Sequence, residues 1–471
     1  MLEKIRIENF KSWKDTGEIQ LAPLTVFFGS NSSGKSSLNQ FLLMLKQTAQ
    51  SPDRQRVFHF GDKKTPIDLG TYKDIVFGHD EKLDIRFAFQ WNLRKQLVVE
   101  DYSSTDRKKY SGSSIHFSAE VGLSSGKPQQ GLVVKTMSYT LGDPNDTGLQ
   151  VLMKQKGNEN GKKGDYELEA ENYELDRGKK GGRRWPLRSP TRFYGFPDEA
   201  VAYYQNADFV RDLALMMEQL FNNIYYLGPL RDFPQRSYTW SGETPEHVGW
   251  RGERMVDAML AAKERLINFG KQQRYRKFQE AIAFWLENMG LIESFKVRLI
   301  TEEKRDYEVL VKTPGVAKEV NITDVGFGVS QVLPVIVECF YCKPDSILII
   351  EQPEIHLHPM VQAALADLFI AAVSSKEEYE DRNIQLIIES HSEHFLRRLQ
   401  RRIAEEVIPA EKTAIYFCRP NNTGSSLLKL DVDLFGNIMN WPEDFFGDEI
   451  GDLAEMTKAE MRRRRKEKSD H

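Results

Sequence analysis

A glycine- and serine-rich stretch near the N-terminus constrains this chain more than any other feature. Residues 29–36 read GSNSSGKS, which fits the pattern of a phosphate-binding loop without a mismatch. The residues before it, 24–28, form a short apolar run that is typical of a buried strand. After it, Leu38, Phe41 and Leu45 recur at the spacing of a helix. The predicted order of strand, glycine-rich turn and helix is the context that such a loop requires.

The chemistry of the loop positions explains the pattern. Backbone N–H groups of the loop and of the helix start point toward a phosphate, and the helix dipole favours its negative charge. Lys35 reaches the terminal phosphates, and the Ser36 hydroxyl binds Mg²⁺. Gly29 and Gly34 permit backbone angles that a Cβ would oppose. The sequence thus predicts a nucleotide site with these candidate residues: Gly29, Ser30, Asn31, Ser32, Ser33, Gly34, Lys35, Ser36 and Ser37.

Two later apolar strands end in polar side chains that could complete this site. Residues 347–350 are followed by Glu351 and Gln352, and residues 385–388 are followed by a short polar segment that contains His391. Beside the phosphate loop, Glu351 can hold Mg²⁺ through its water shell. His391 can hydrogen-bond to the terminal phosphate as a sensor. Each feature alone is weak, since an apolar run that ends in glutamate is common and a single histidine is more often structural.

A second glycine-rich helix start precedes the first of these strands. Residues 324–331 read DVGFGVSQ and lead into an apolar helix, so Gly326, Gly328, Ser330 and Gln331 form another candidate anion-binding terminus. One chain does not need two such termini for one ATP. In a two-fold dimer, the phosphate loop of one subunit would face this helix start in the other. The sequence therefore predicts composite ATP sites between two copies.

The combined motifs resemble the ABC-type ATPases of the RecF, SMC and OLD (overcoming lysogenisation defect) group. Residues 7–12, IENFKS, resemble the strand that precedes the phosphate loop in that group. Residues 351–359, EQPEIHLHP, resemble its Walker B motif and D-loop, and residues 226–231, YLGPLR, resemble a segment of bacterial members. By the same resemblance, residues 326–331 are the signature motif and His391 is the switch histidine.

This likeness covers residues 1–80 and 220–420, and within the group it is closest to compact AAA-type ATPases of bacterial anti-phage defence systems. Those systems are of the Septu, PARIS and retron-associated kinds. The resemblance implies ATP and Mg²⁺ as cofactors, a homodimer that encloses ATP, and a separate nuclease or toxin as the effector. A RecF-like or SMC-like ATPase of DNA repair or chromosome maintenance is the alternative. It would bind DNA through a basic dimer surface, for example from residues 179–184 and 462–465.

Gln352 departs from the group, whose members usually carry glutamate at this position. That glutamate polarises the attacking water, whereas an amide can orient water but accepts no proton. Three interpretations stay open: this branch hydrolyses ATP slowly with its own glutamine, Glu354 or His391 acts as the base, or a natural glutamate has been replaced. The residue that would contact the terminal phosphate from a Q-loop is also open, with Gln47 and residues 68–74 as candidates.

The patterning predicts an α/β fold: an ABC-type ATPase head with a mixed sheet, a phosphate-loop core and an antiparallel β subdomain, split by a long insertion and accompanied by a helical subdomain. The predicted parts are an N-terminal ATPase segment (1–86), a β-rich insertion (87–200), a helical subdomain (201–295), a C-terminal ATPase segment (296–430) and a tail (431–471). In the tail, the acidic and aromatic residues 440–449 are either a packed element or a docking segment.

The amino-acid composition restricts the classes of function and the cellular location that the chain can have. The net charge is −4, so nucleic-acid binding would need a local basic surface. No apolar run approaches the roughly 20 residues of a membrane span, and the three cysteines, Cys339, Cys342 and Cys418, fit buried thiols in a reducing compartment. We expect a cytoplasmic protein without a membrane partner. His356 and His358 could suggest a metal site, but two histidines with this spacing on a loop fit the D-loop-like segment better.

Overall fold

Two large β-sheets, one largely parallel and one antiparallel, organise the chain in a computed structural model. The structure describes residues 1–101, 108–124, 131–142, 148–156, 166–177, 186–270, 273–442, 445, 455–461 and 463. Its strands are β1 (Leu2–Phe10), β2 (Trp13–Asp15), β3 (Ile19–Gln20), β4 (Leu24–Gly29), β5 (Ile85–Glu100), β6 (Lys109–Leu123), β7 (Leu132–Leu141), β8 (Leu149–Gln155), β9 (Tyr166–Glu171), β10 (Ile224–Leu227), β11 (Tyr238–Thr239), β12 (Leu266–Asn268), β13 (Arg276–Lys277), β14 (Ser294–Thr301), β15 (Asp306–Lys312), β16 (Val320–Asn321), β17 (Ile347–Glu351), β18 (Lys376–Glu377), β19 (Glu380–Asp381), β20 (Gln385–Glu389), β21 (Thr413–Asn421) and β22 (Gly424–Lys429). Its helices are α1 (Lys35–Gln50), α2 (Tyr72–Ile75), α3 (Asp198–Tyr203), α4 (Phe209–Asn222), α5 (Met255–Ala261), α6 (Phe278–Asn288), α7 (Phe327–Tyr341), α8 (Pro359–Val373) and α9 (Glu393–Ala404).

The parallel sheet carries the phosphate loop. Its strand order is β10-β17-β20-β4-β21-β22, and all neighbours are parallel except the last pair. Alternate residues of β17 enter two cores: Ile347 and Ile349 pack in the core that contains α1, and Leu348 and Ile350 pack in the core that contains α7 and α8. A parallel sheet that is covered on both faces needs strands without a polar face. This explains the nearly unbroken apolar runs of β4, β17 and β20.

The antiparallel sheet joins the N-terminal strand to the region that was predicted as an insertion. Its order is β2-β1-β5-β6-β7-β8-β9, with β3 paired to β1. The boundary predicted between residues 86 and 87 falls inside β5, where Phe87 pairs with Ile7 of β1. The Phe87 ring also packs against Phe41 of α1, with ring centres 5.1 Å apart. The β-rich region therefore shares a sheet and a core with the first strand.

The region predicted as a helical subdomain, 201–295, is divided between the two cores. α4 packs in the core with α1, whereas α5 and α6 pack in the core with α7. Between them, β10 forms the edge strand of the parallel sheet. Two small sheets, β11-β15-β14 with β16 and β13-β12-β18-β19, pair strands of this region with later strands of the chain. The predicted α/β class, with a mixed sheet around a phosphate-loop core and an antiparallel β sheet, is confirmed.

Two further observations concern the described residues. Cys339, Cys342 and Cys418 are free and buried, as predicted. Within the part of the chain that the structure describes, none of the helices is both long and apolar enough to cross a membrane. About half of the predicted tail, and residues 157–164 and 179–184, lie outside the described residues.

One carboxyl group is fully enclosed in the core around α7. Oε2 of Glu338 accepts a hydrogen bond from the Val248 N–H at 2.9 Å, and burial raises the pKa of this carboxyl to about 7. The folded pKa is above the unfolded value of 4.5. The stability linked to this proton is therefore present below pH 4.5 and is lost as the pH rises through about 7.

We expect Glu338→Gln, which keeps an acceptor for Val248, to stabilise the fold mainly above neutral pH. The free energy of unfolding in urea should rise by about 2 to 3 kcal/mol at pH 8 and by much less at pH 5. Glu411→Gln, the same change at an exposed position, serves as the control. An equal effect of Glu338→Gln at both pH values would show that the carboxyl does not titrate as described.

Candidate functional site

The phosphate loop has the backbone geometry that its glycines predict. Gly29 and Gly34 adopt φ angles of 144° and 93°, and Ser32 between them is also left-handed at 60°. A Cβ at Gly29 would lie 2.1 Å from the carbonyl oxygen of Cys418, so only glycine fits there. α1 begins at Lys35, and its first N–H groups lack partners within the helix. The loop and the helix start together form a cradle for phosphate.

A cavity of about 410 Å³ opens over this loop. It brings together loop, strand-end and N-terminal residues that are far apart in sequence: Lys11, Ser12, Asn31, Ser32, Ser33, Gly34, Lys35, Ser36, Ser37, Gln352, Glu389 and His391. The Lys35 ammonium donates to the carbonyl oxygens of Gly29 at 3.0 Å and Ser30 at 2.7 Å. It therefore lies inside the loop, where burial lowers its pKa.

The carboxylate nearest to Ser36 is Glu389, which the sequence did not single out as a metal ligand. The Ser36 hydroxyl donates to Glu389 Oε1 at 3.0 Å. Glu351, the predicted ligand, lies one strand away, and the Asn39 amide nitrogen spans the two at 3.3 Å from Glu351 Oε1 and 3.4 Å from Glu389 Oε2. The pair arises because β17 and β20 are parallel neighbours with Glu351 directly opposite Glu389.

These two carboxylates suit a divalent cation. Burial, and then the charge of Glu389, raise the pKa of Glu351 to about 7. Burial also raises the pKa of Glu389, and the nearby Lys35 ammonium opposes this rise. Hard cations prefer such oxygen ligands, and the buried Oδ1 of Asn39 has no hydrogen-bond partner among the described residues. Ser36, Glu351 and Glu389 therefore fit Mg²⁺, which when bound neutralises phosphate charge.

The two other predicted catalytic residues, Gln352 and His391, line the cavity, whereas the described wall does not include Glu351. Gln352 follows β17 in a left-handed conformation with φ 44°, and its N–H donates to the Glu389 carbonyl oxygen at 2.8 Å. Burial, and then the Lys35 charge, lower the pKa of His391 to about 4. A neutral His391 can therefore hydrogen-bond to a phosphate at pH 7 but adds no positive charge. The described wall of the cavity does not include Glu354, whose Oε1 accepts from the His391 backbone N–H at 2.5 Å.

The predicted signature residues are separated from this cavity within one chain. α7 begins at Phe327 after Gly326, which is exposed and has open space around its Cα. Ser330 is buried and its hydroxyl donates to the Phe327 carbonyl oxygen at 2.7 Å, and Gln331 is buried as well. The described cavity wall contains neither these residues nor Gly328. An anion at this helix start would therefore contact Gly326 and Gly328. It would not reach the buried side chains of Ser330 and Gln331.

Arg231, in the YLGPLR segment, is a site residue for which the sequence suggested no role. It is buried below the end of β17, and its Nη2 donates to the Glu351 carbonyl oxygen at 3.3 Å. Its charge partly offsets the burial that raises the pKa of Glu354. Tyr226, from the same segment, donates its hydroxyl to Glu351 Oε2 at 3.2 Å. The segment therefore supports the carboxylate strand from the side opposite to the phosphate loop.

Three other residues that the sequence suggested as candidates, Gln47, His356 and His358, do not line the cavity over the phosphate loop. The Gln47 amide donates to the His59 carbonyl oxygen, and Gln47 does not line the loop cavity. His358 caps α8 by accepting from the Met360 N–H at 3.3 Å, and the His356 ring packs on Phe327. The described residues contain no group of three or more acidic, histidine or cysteine side chains arranged for a metal ion.

We expect Glu389→Gln to weaken Mg²⁺ binding by about 10- to 100-fold, since it removes one of the two buried carboxylates. Mn²⁺ bound in place of Mg²⁺ can be counted by electron paramagnetic resonance without any turnover of ATP. Glu411→Gln removes the same charge from the surface and should leave the affinity unchanged. Unaltered Mn²⁺ affinity in Glu389→Gln would remove Glu389 from the ligand set.

Comparisons with known proteins place the chain in a family. The model of the AAA ATPase domain family (AAA_15) matches residues 1–181 and 262–396, and that of a family of unknown function (DUF3696) matches residues 408–456. No curated protein gives a significant sequence match.

Solved structures give distant matches. An SMC head bound to the C-winged helix domain of ScpA has a TM-score of 0.42 and 13% identity over 92% of this chain and 98% of its own. The SMC head domain from Thermotoga maritima has a TM-score of 0.38 and 11% identity over 92% and 99%. The ATPase family model covers more than half of the chain and includes both the phosphate loop and the carboxylate strands. The chain therefore belongs to the AAA ATPase domain family.

Proposed function

We propose that this ATPase is a dimeric switch in which ATP at the phosphate loop of one copy is closed by the start of α7 in a second copy. The observation that carries the proposal is the exposed glycine start at Gly326, which lies outside the loop cavity of its own chain. A helix N-terminus with free N–H groups favours an anion. Two copies related by a two-fold axis would supply each loop with such a terminus.

The surface around this helix start supports self-association. Leu230, Phe233, Phe327 and Met360 expose 73%, 75%, 39% and 61% of their surface. Phe233 touches Phe327, with ring centres 5.5 Å apart, and Phe327 touches His356 at 5.1 Å. We call these five residues the signature patch. Exposed apolar side chains of this kind are typical of interaction sites, and a second copy would cover them together with Gly326.

The proposed roles follow from the positions of these side chains in the cavity and, for Glu351, from its place beside Glu389 at the ends of two neighbouring strands. Ser36, Glu351 and Glu389 would hold Mg²⁺, Lys35 would bind the terminal phosphates, and His391 would hydrogen-bond to the terminal phosphate. Gln352 would orient the attacking water without accepting its proton, so hydrolysis would be slow. A slow step suits a switch, because the closed dimer then lasts long enough for a partner to bind.

The effector proposed here is a separate nuclease or toxin in a cytoplasmic bacterial anti-phage system. This part rests on the motif resemblance alone. The alternative is an ATPase that clamps DNA. Of the basic segments that would serve it, residues 179–184 lie outside the described residues, as do residues 462–465 apart from Arg463.

The test purifies the chain from cells challenged with phage, in Mg²⁺ and a slowly hydrolysed ATP analogue, beside a Lys35→Ala control. If the chain is such a switch, a protein with nuclease or toxin activity should co-purify with it in a fixed ratio. This protein should be absent from the Lys35→Ala control. In parallel, fluorescence anisotropy at two salt concentrations measures DNA binding. Tight binding that requires ATP and falls steeply with salt, without a protein partner, would favour the DNA clamp and contradict the proposed effector.

A further inference from the structure

We propose that a second cavity, between the end of α1 and β10, binds a small planar anion and communicates with Glu351 through Tyr226. This cavity has a volume of about 320 Å³ and shares no lining residue with the cavity over the phosphate loop. We call it the tyrosine pocket. Its walls come from the last turns of α1, the loop at 59–66, β10 and the loop at 246–250. It is therefore in contact with α1, which begins at the phosphate loop, and with β10, which supports the neighbouring strand β17.

Charged side chains of both signs and a wall of aromatic rings define the chemistry of the tyrosine pocket: Lys46 and Lys64 line it, and so do the carboxylates of Asp62 and Glu246. The Lys46 ammonium donates to the Ile224 carbonyl oxygen and lies 5.6 Å from the centre of the Tyr225 ring. Among the described residues, no carboxylate lies within ion-pair distance of Lys46. The rings of Tyr226, His247 and Trp250 are partly exposed in the same wall. A ligand with an anionic group and a flat ring would satisfy both features.

Three further observations restrict the charge, the polar groups and the size of the ligand. Burial lowers the pKa of Lys46 to about 8, so an anion beside it would stabilise its charged form. Two buried polar atoms of the wall, Gln47 Oε1 and His59 Nδ1, have no hydrogen-bond partner among the described residues. The volume lies at the lower end of the roughly 300–1,000 Å³ of small-molecule sites. It fits one ring system with one anionic group, such as a nucleoside monophosphate or an aromatic carboxylate.

The coupling to the ATP site runs through a single side chain. Tyr226 lines the tyrosine pocket, and its hydroxyl donates to Glu351 Oε2 at 3.2 Å. β10 is also the parallel neighbour of β17, with Tyr226 opposite Ile349. A ligand that shifts the Tyr226 ring therefore alters the hydrogen bonding of Glu351. This step does not depend on whether the chain dimerises.

The test is calorimetric titration of the full chain carrying Lys35→Ala, which removes nucleotide binding at the phosphate loop. The probes are AMP, GMP, CMP, UMP, 4-hydroxybenzoate and inorganic phosphate. We expect at least one aromatic anion to bind saturably and Lys46→Met to weaken it by about 10-fold or more. Lys318→Met, at an exposed position, should leave it unchanged. If Lys46→Met does not fold, Trp250→Ala is expected to give the same loss.

The outcomes distinguish a nucleotide from an aromatic carboxylate as the ligand, and they can overturn the proposal. Binding of the nucleotides alone identifies a nucleotide site, and binding of 4-hydroxybenzoate alone identifies a carboxylate site. The proposal is overturned if no probe saturates, if phosphate binds as tightly as the aromatic anions, or if Lys46→Met and Trp250→Ala bind normally.

The coupling between the tyrosine pocket and the ATP site needs a second measurement. A saturating concentration of the ligand should change the rate of ATP hydrolysis by the otherwise unmodified chain. Tyr226→Phe should keep ligand binding and lose that change, and an equal change in both chains would refute the role of Tyr226.

Discussion

Replacing Gln352 by glutamate is expected to raise the rate of ATP hydrolysis by about 100-fold, since a positioned general base contributes roughly 10²- to 10⁴-fold. The side chain already lines the cavity, and the backbone that positions it is fixed by the hydrogen bond to the Glu389 carbonyl oxygen. Glutamate has the same length as glutamine, so the change adds a proton acceptor with little change in shape. The neighbouring carboxylates of Glu351 and Glu389 would raise the pKa of the new group toward neutrality, where a general base is most effective.

Release of phosphate at saturating Mg²⁺ and ATP measures this effect. Gln55→Glu, the same change at an exposed position, should hydrolyse ATP at the original rate. A rate for Gln352→Glu that is equal to or below the original would contradict the proposed role of Gln352. Rapid hydrolysis by the original chain that is lost in Glu354→Ala would instead identify Glu354 as the base.

Placing a negative charge at Gly326 is expected to abolish ATP-dependent dimerisation and to lower hydrolysis by about 100-fold or more. Gly326 precedes the first residue of α7 and has open space where a side chain would go. Aspartate is a favourable residue before a helix, so Gly326→Asp should not impair folding. It would nevertheless place a carboxylate where the terminal phosphate of the other copy's ATP is proposed to bind, and two anions at one helix terminus repel each other.

Sedimentation velocity with and without Mg²⁺ and ATP measures the dimer, and thermal unfolding checks the fold. Gly131→Asp adds the same charge at an exposed position with open space, and it should dimerise normally. ATP affinity of the single chain should be preserved in Gly326→Asp, since Gly326 does not line the loop cavity. Dimerisation of Gly326→Asp at the original ATP concentration would contradict the composite site.

The local pattern was sufficient to predict the elements that hold the phosphate. The loop at 29–36, the start of α1 at Lys35 and the strands β4, β17 and β20 follow from periodicity and glycine placement, because each is defined by residues close in sequence.

The features that were missed depend on pairing between distant segments. The boundary at 86/87 was misplaced because the pairing of β5 with β1 is a long-range contact that local pattern does not contain. For the same reason, Glu389 could be assigned to Ser36 only when β20 was known to lie between β17 and β4. A possible signal was present, since a glutamate ends each of two similar apolar strands. The side chains of Ser330 and Gln331 turn inward because the first turn of α7 packs against the core, which spacing alone cannot show.

Mixing two inactive variants tests the central claim of composite sites most directly. Lys35→Ala lacks the phosphate-loop cation, and Gly326→Asp lacks a usable helix start, so each dimer of one variant has two defective sites. A mixed dimer has one site with both defects and one with neither. Hydrolysis of radiolabelled ATP in an equal mixture should therefore return to about a quarter of the original rate if pairing is random, and to about half if only mixed dimers form, provided that the sites act independently. A mixture that stays as inactive as the separate variants would contradict the account.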